Sequence, residues 1–365
     1  MSLYFDSLLV SCPNEGGGLF YVHKNNAFCL DSLWSTGLSL YKGEILRALQ
    51  PSSLISYAKT GEMNASFGEM YAYDIHDLLV VDESLYVVST GYNEIREYGS
   101  KGDLKRFWRF SDTLDSWHIN CLGLVNGEVL FSAFGDFPES RGYKGKSERA
   151  GFVQNLLTGE KIIEGLSQPH SLIDYDGSIL LANSETKELM RYGFDGVLLQ
   201  SRMFDGYVRG LCVVGEVIYV GLSASRNIDD SGVENATVVG IDKESWEEVG
   251  RLVLPSKEIY DIVGFAGQGD TAEFLLGFLQ SAHNEYQDMV NASINKIEGL
   301  KSELENKRIL YEESIRGSDK RVKDLYDRID LLEREVDRIS NSLSWRLTKP
   351  LRKWYKSFLK RALKG

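Results

Sequence analysis

One unit recurs along the first 280 residues and restricts the fold more than any other feature: a polar residue, an apolar run, a small turn and a second apolar run. It reads HDLLVVDESLYVVST from His76, NCLGLVNGEVLFSA from Asn120, HSLIDYDGSILLANS from His170 and RGLCVVGEVIYVGLS from Arg209. An earlier copy is TGLSLYKGEILRAL from Thr36, and a looser, later one is DIVGFAG from Asp261. Copies spaced about 40 to 50 residues apart, each holding two or more strands, predict an all-β, six-bladed β-propeller. A β-sandwich explains the strands but not the long, regular period. In a propeller the first strand of each unit lines a central channel. The strands near Leu8–Ser11 and Leu19–Val22 precede the first full unit, so they are expected to complete the blade opened by Glu258–Phe265 and close the ring.

Composition sets the remaining bounds. A chain of 365 residues, 43% hydrophobic, holds one large domain and an appendage. No uninterrupted apolar stretch approaches the roughly 20 residues that span a bilayer. The opening MSLYFDSLLVSC lacks a basic region and meets Asp6 early, which reads as a poor signal peptide. Cys12, Cys29, Cys121 and Cys212 are scattered without a CxxC, as in reduced, packed thiols of a cytoplasmic protein. Neither a metal site nor a cofactor is expected.

The composition changes near Ser281, where glycine almost vanishes and charged residues, Leu and Ile take over. The expected division is a propeller over 1–280, a coiled coil over 281–344 and a basic helix over 345–365. Val322, Leu325, Ile329, Leu332, Val336, Ile339 and Leu343 step by three and four, the apolar seam of a left-handed coiled coil. Such a seam implies self-association as dimer or trimer through a rod some 80 Å long. The plainer alternative is one helix packed back on the body.

The last segment reverses the charge of the chain. Residues 345–365 carry eight Lys or Arg and no acid, on a protein of formal net charge −12. After Pro350, Leu351, Trp354, Tyr355, Phe358, Leu359 and Ala362 fall on one helical face. Arg352, Lys353, Lys356, Lys360 and Arg361 occupy the rest, with Trp345 and Arg346 just before the helix. Aromatic anchors opposite ammonium and guanidinium groups describe a helix lying in an anionic membrane interface. The alternative is a solvated basic end. Nucleic acid is not an expected partner, because the acidic body repels phosphate.

Seven motifs, in order, resemble a known family: LLVSCPNEGGGLFYV, STGLSLYKGEILRAL, HDLLVVDESLYVVSTGYNEI, HINCLGLVNGEV, PHSLIDYDGSILLANSETKELMRYG, YVRGLCVVGEVIYVGLS and EIYDIVGF. The chain over residues 7–280 is similar to the bacterial β-propeller family DUF4915, a resemblance that implies a fold and little chemistry. Separately, SLSWRLTKPLRKW (Ser342–Trp354) resembles an SWRLTxPLR segment of glycosyltransferases and methyltransferases in surface-polysaccharide pathways. That resemblance implies work beside such enzymes, or on their saccharide intermediates, at the inner face of the cytoplasmic membrane.

Candidate chemistry sits at the channel mouth. His76, His118 and His170 lie at or near the openings of inner strands, with Asn120, Arg209 and Asp261 at corresponding places. Together they form a ligand-binding constellation, and imidazole with carboxylate offers acid–base chemistry near neutral pH. A wet channel also needs polar lining for purely structural reasons. Other motifs are weaker. GYKGKS from Gly142 has Ser140 where a P-loop needs its first glycine, and DYDG from Asp174 fits a turn. No spacing diagnostic of a nucleophilic triad is present. The expected function is a non-catalytic binding or scaffold protein of surface-polysaccharide assembly; the alternative is an enzyme modifying a lipid-linked or nucleotide-activated sugar.

Overall fold

The structure is a computed structural model and describes residues 5, 7–14, 16–58, 60–69, 71–100, 102–224, 234–264, 271–313 and 322–338. Two compact units divide the chain, residues 1–274 and 275–365.

The first unit is a six-bladed β-propeller of four-stranded antiparallel sheets. The innermost strands of blades 1 to 5 are Ser35–Tyr41, Ile75–Val81, Ile119–Val125, Pro169–Tyr175 and Tyr207–Val214. Blade 6 is closed by both ends of the unit: Asp261–Gly264 is innermost and pairs with Leu8–Cys12, followed by Gly18–His23 and Asn26–Asp31. Val10 faces Ile262 and Ser11 faces Asp261 across that seam, so the N-terminal strands complete the last blade as expected.

The local reason for the repeat is a tight turn after the inner strands of blades 1 to 5. Lys42-Gly43, Asn126-Gly127 and Asp176-Gly177 all have positive φ at both positions. Two such residues build the type I′ hairpin, whose twist matches its strands. Alternation of apolar residues then buries both faces of each blade against its neighbours. Between blades 4 and 5, Leu180, Ala182 and Leu189 pack on Val208, Leu211, Ile218 and Val220. Several polar contacts tie the closing blade to blade 1, among them those of Arg47. The fully buried Arg47 guanidinium holds both Asp31 carboxylate oxygens, at 2.6 and 2.7 Å, and also donates to Ser35 Oγ.

Helix α1, Thr271–Glu313, begins in the last residues of the first unit, and the second unit holds the rest of it and helix α2 over 322–338. Ile297 and Leu304 bury against Ile329 and Leu332, with Leu300, Val322, Leu325 and Val336 packed around them. Lys301 Nζ lies 3.2 Å from Glu333. These two residues stand almost equally far from the intervening segment, so the helices run antiparallel as a hairpin. Here the structure differs from the extended rod: the seam residues meet α1 of the same chain. Apolar spacing of three and four requires a second helix, and the nearest one lies just upstream. The remaining seam positions Ile339 and Leu343, and the basic positions from Trp345 to Arg361, lie outside the described residues.

Candidate functional site

Each inner strand of blades 1 to 5 opens with an irregularity. Regular pairing breaks between Ser35 and Leu38, Ile75 and Leu78, Ile119 and Leu122, His170 and Leu172, and Val208 and Leu211. A bulge re-aims side chains that a regular strand would alternate between faces. Aligning the blades on the apolar residue that follows sorts these positions into two tiers. The first holds Thr36, His76, Asn120, His170, Arg209 and Tyr260; the second holds Gly37, Asp77, Cys121, Ser171, Gly210 and Asp261.

The second tier stitches blades together. Asp77 Oδ2 accepts the Leu122 N–H of blade 3 at 2.8 Å. Ser171 Oγ accepts the Gly210 N–H of blade 5 at 3.2 Å, and Asp261 Oδ2 accepts the Leu38 N–H of blade 1 at 2.9 Å. Asp77 and Asp261 flank Gly37, where a Cβ would stand 2.4 Å from Asp77 Oδ1. That position therefore needs glycine. Burial, reinforced by the Asp261 charge, raises the Asp77 carboxyl well above its ordinary range. Burial pushes Asp261 up to about 7. Asp77 and Asp261 border a cavity of about 280 Å³ that is also lined by Leu38, Leu78, Leu122, Leu172, Leu211 and Ile262, with Asn120, His170 and Tyr260 on its wall.

The first tier is a connected network. Tyr260 Oη donates to Asn120 Oδ1 at 2.6 Å, and Asn120 Nδ2 lies 2.9 Å from His170 Nε2. Arg209 Nε donates to the same imidazole nitrogen at 3.0 Å, while its Nη1 reaches Glu258 at 3.1 Å. His170 Nδ1 faces the Gln168 carbonyl at 2.9 Å, which puts the ring proton there. Burial, then the neighbouring Arg209 charge, push the His170 pKa well below its ordinary value, so the ring is neutral. His118 enters from the loop before blade 3. Its Nδ1 lies 2.7 Å from Asp115, which also accepts Arg141 Nε at 2.9 Å and Tyr143 Oη at 3.2 Å. Burial lowers the His118 pKa, although Asp115 works against the shift. His76 completes the cluster, edge-on to both His118 and Tyr260 at 5.0 and 5.6 Å between ring centroids.

The structure thus brings His76, His118, Asn120, His170 and Arg209 together, and sets Asp261 one tier away from them. The corresponding place in blade 6 belongs to Tyr260. Asp115, Tyr143, Asp77 and Glu258 are further members that sequence reading passed over. Tyr260 and Asp77 were legible: aligning YDIV on HDLL, aspartate on aspartate, places Tyr260 opposite His76 and Asp77 opposite Asp261. Asp115 and Tyr143 come from irregular loops that carry no repeat signal. Chemically, the arrangement offers neutral imidazoles, one of them oriented by a carboxylate, and a guanidinium held by an acid. Among the described residues no group of three His, Cys, Asp or Glu is disposed to hold a metal ion.

Comparison with known proteins gives a family match. The model for a domain of unknown function, DUF4915, matches residues 67–268. No curated protein matches the chain. Among solved structures, a protein of unknown function from Bacteroides caccae is 14% identical, with TM-score 0.53, covering 71% of this chain and 98% of its own. A chain of a nidogen/laminin complex is 10% identical, with TM-score 0.52, covering 72% and 99%. The calcium-binding protein regucalcin from Agrobacterium tumefaciens is 14% identical, with TM-score 0.48, covering 64% and 78%. The first two matches, at identities this low, speak for the propeller fold alone.

Proposed function

The chain belongs to the DUF4915 family, and on the geometry of its channel mouth we propose that it is a non-catalytic saccharide-binding scaffold of bacterial surface-polysaccharide assembly. The observation that carries this reading is the hydrogen-bonded chain Glu258–Arg209–His170–Asn120–Tyr260, which locks side chains of four blades before any ligand arrives. A mouth ordered in advance loses little entropy on binding, and polar groups of fixed direction give specificity. The only cysteine in the tiers, Cys121, is buried beside Ser132, and burial raises its thiol pKa well above the ordinary value. It is a poor nucleophile. The polysaccharide context rests on the SWRLT-containing segment and the basic, aromatic end, which support a place at the inner face of the cytoplasmic membrane beside glycosyltransferases.

A second reading has one specific observation behind it. The Asp115–His118 pair resembles a general base held by its orienting carboxylate, which favours an enzyme acting on a lipid-linked or nucleotide-activated sugar. Purified full-length protein incubated with such sugars separates the two. Scaffold function predicts saturable binding, no product by mass spectrometry, and weaker binding by Arg209→Ala. Product formation that His118→Ala abolishes, with folding intact by circular dichroism, would overturn it in favour of the enzyme.

A further inference from the structure

His76 and His118 differ from the rest of the mouth in having a ring nitrogen to spare. His118 Nδ1 is committed to Asp115, and its Nε2 has no hydrogen-bond partner among the described residues. Burial alone would raise the Asp115 carboxyl, yet hydrogen bonds from His118 and Arg141 hold it below the ordinary range. An ionised acceptor fixes the His118 proton on Nδ1 and leaves Nε2 as a bare lone pair. His76 repeats the logic with its nitrogens exchanged. Its Nε2 lies 3.5 Å from Asp74 Oδ1, a carboxylate that also accepts Gln50 Nε2 at 2.9 Å. Burial would again raise Asp74, but His76, His118 and Arg141 beside it bring it to about 2. Nε2 thus faces a carboxylate, and His76 Nδ1 is buried without a partner while its residue is only 7% exposed. A buried polar nitrogen left unpaired costs free energy that a ligand hydroxyl recovers.

Aromatic rings flank the same corner. Tyr73, next to Asp74, lies 5.7 Å from Tyr92 between ring centroids, and both are exposed. Backbone bonds from Gly91 N to Tyr73 O and from Asp115 N to Gly91 O, both 3.0 Å, tie this ring pair to both aspartates. Tyr71, 89% exposed, and Trp34 stand on the loops leading into the neighbouring inner strands. The corner thus combines two ring nitrogens without a protein partner and amphipathic rings at its rim. An anion would meet the Asp74 and Asp115 carboxylates beside the two rings, so phosphate and carboxylate groups are disfavoured.

We infer that His76 and His118 recognise adjacent hydroxyls of one saccharide ring, each hydroxyl donating to one imidazole while the C–H face of the sugar rests on the tyrosines. This rests on the saccharide-binding reading and names the chemistry that the ligand must present. Full-length protein with ¹⁵N-labelled histidine is titrated with a panel of methyl hexopyranosides, followed by calorimetry and imidazole ¹⁵N shifts. A binding glycoside is expected to move the His76 Nδ1 and His118 Nε2 signals. Analogues lacking either of two adjacent hydroxyls should bind about tenfold more weakly, as should native glycoside to His118→Phe or His76→Phe. The deoxy analogues need no variant to fold. Binding that is indifferent to every deoxygenation, with both nitrogen signals unmoved, overturns the inference and leaves saccharide binding standing. No binding by any glycoside overturns both.

Discussion

His170 and Asp261 are buried titratable groups shifted in opposite directions, and together they set the pH response of the propeller. His170 has its pKa depressed, so its contribution to stability is present above the unfolded value near 6.5 and is lost as pH falls below it. Asp261 has its pKa raised to about 7, so its contribution is full below about 4 and is lost as pH rises through 7. Asp77 shifts with Asp261, and His118 with His170. Between pH 4 and 6.5 the two slopes oppose each other. Melting curves at pH 7 and pH 4.5 should therefore show Asp261→Asn losing more stability on acidification than native protein, and His170→Gln losing less. Parallel profiles for all three would remove these residues from the pH response. The histidines and Arg209 were legible because they open repeated units, where a polar residue before an apolar run stands out. Asp261 was misplaced by one residue because Tyr260 reads as apolar, and a bulge makes a one-residue slip change tiers.

Strand order and ring closure were legible for a related reason: period and turn chemistry are local, and six copies over-determine the register. The coiled-coil partner was not. A seam of Val322, Leu325, Ile329, Leu332 and Val336 demands another helix without saying whose, and α1 of the same chain supplies it. Arg47 was missed because nothing in its sequence context announces a buried cation. It spans from the second strand of blade 1 to the outer strand of blade 6, adding a side-chain clasp to the backbone seam at Val10 and Ile262. Removing one partner of a buried pair costs about 3–5 kcal/mol, whereas replacing both by apolar groups costs far less. Arg47→Met should thus lower the urea midpoint sharply, and Arg47→Met with Asp31→Leu should recover much of the loss. Losses that simply add would show that the two side chains are not coupled.

For the whole molecule, membrane attachment and self-association are linked proposals. The contacts that close the α1–α2 hairpin can equally form between two chains that exchange α2, so the seam is available for a dimer without any new surface. A dimer would carry two basic ends. Each Lys or Arg near an anionic leaflet contributes about 1 kcal/mol, and Trp354, Phe358 and Leu351 add an apolar contribution at the headgroup boundary. One such end binds reversibly; two linked ends bind far more strongly, because the second attaches at high effective concentration. Full-length protein should therefore sediment with phosphatidylserine-containing vesicles, less so at high salt. Truncation after Leu343 should leave a folded protein in the supernatant. Ile329→Lys with Val336→Lys should weaken sedimentation while leaving the basic end intact, with light scattering reporting loss of the dimer. If full-length and truncated proteins partition alike, the basic end serves a protein partner instead. If the native chain is already monomeric yet sediments, one end suffices and the hairpin belongs to a single chain.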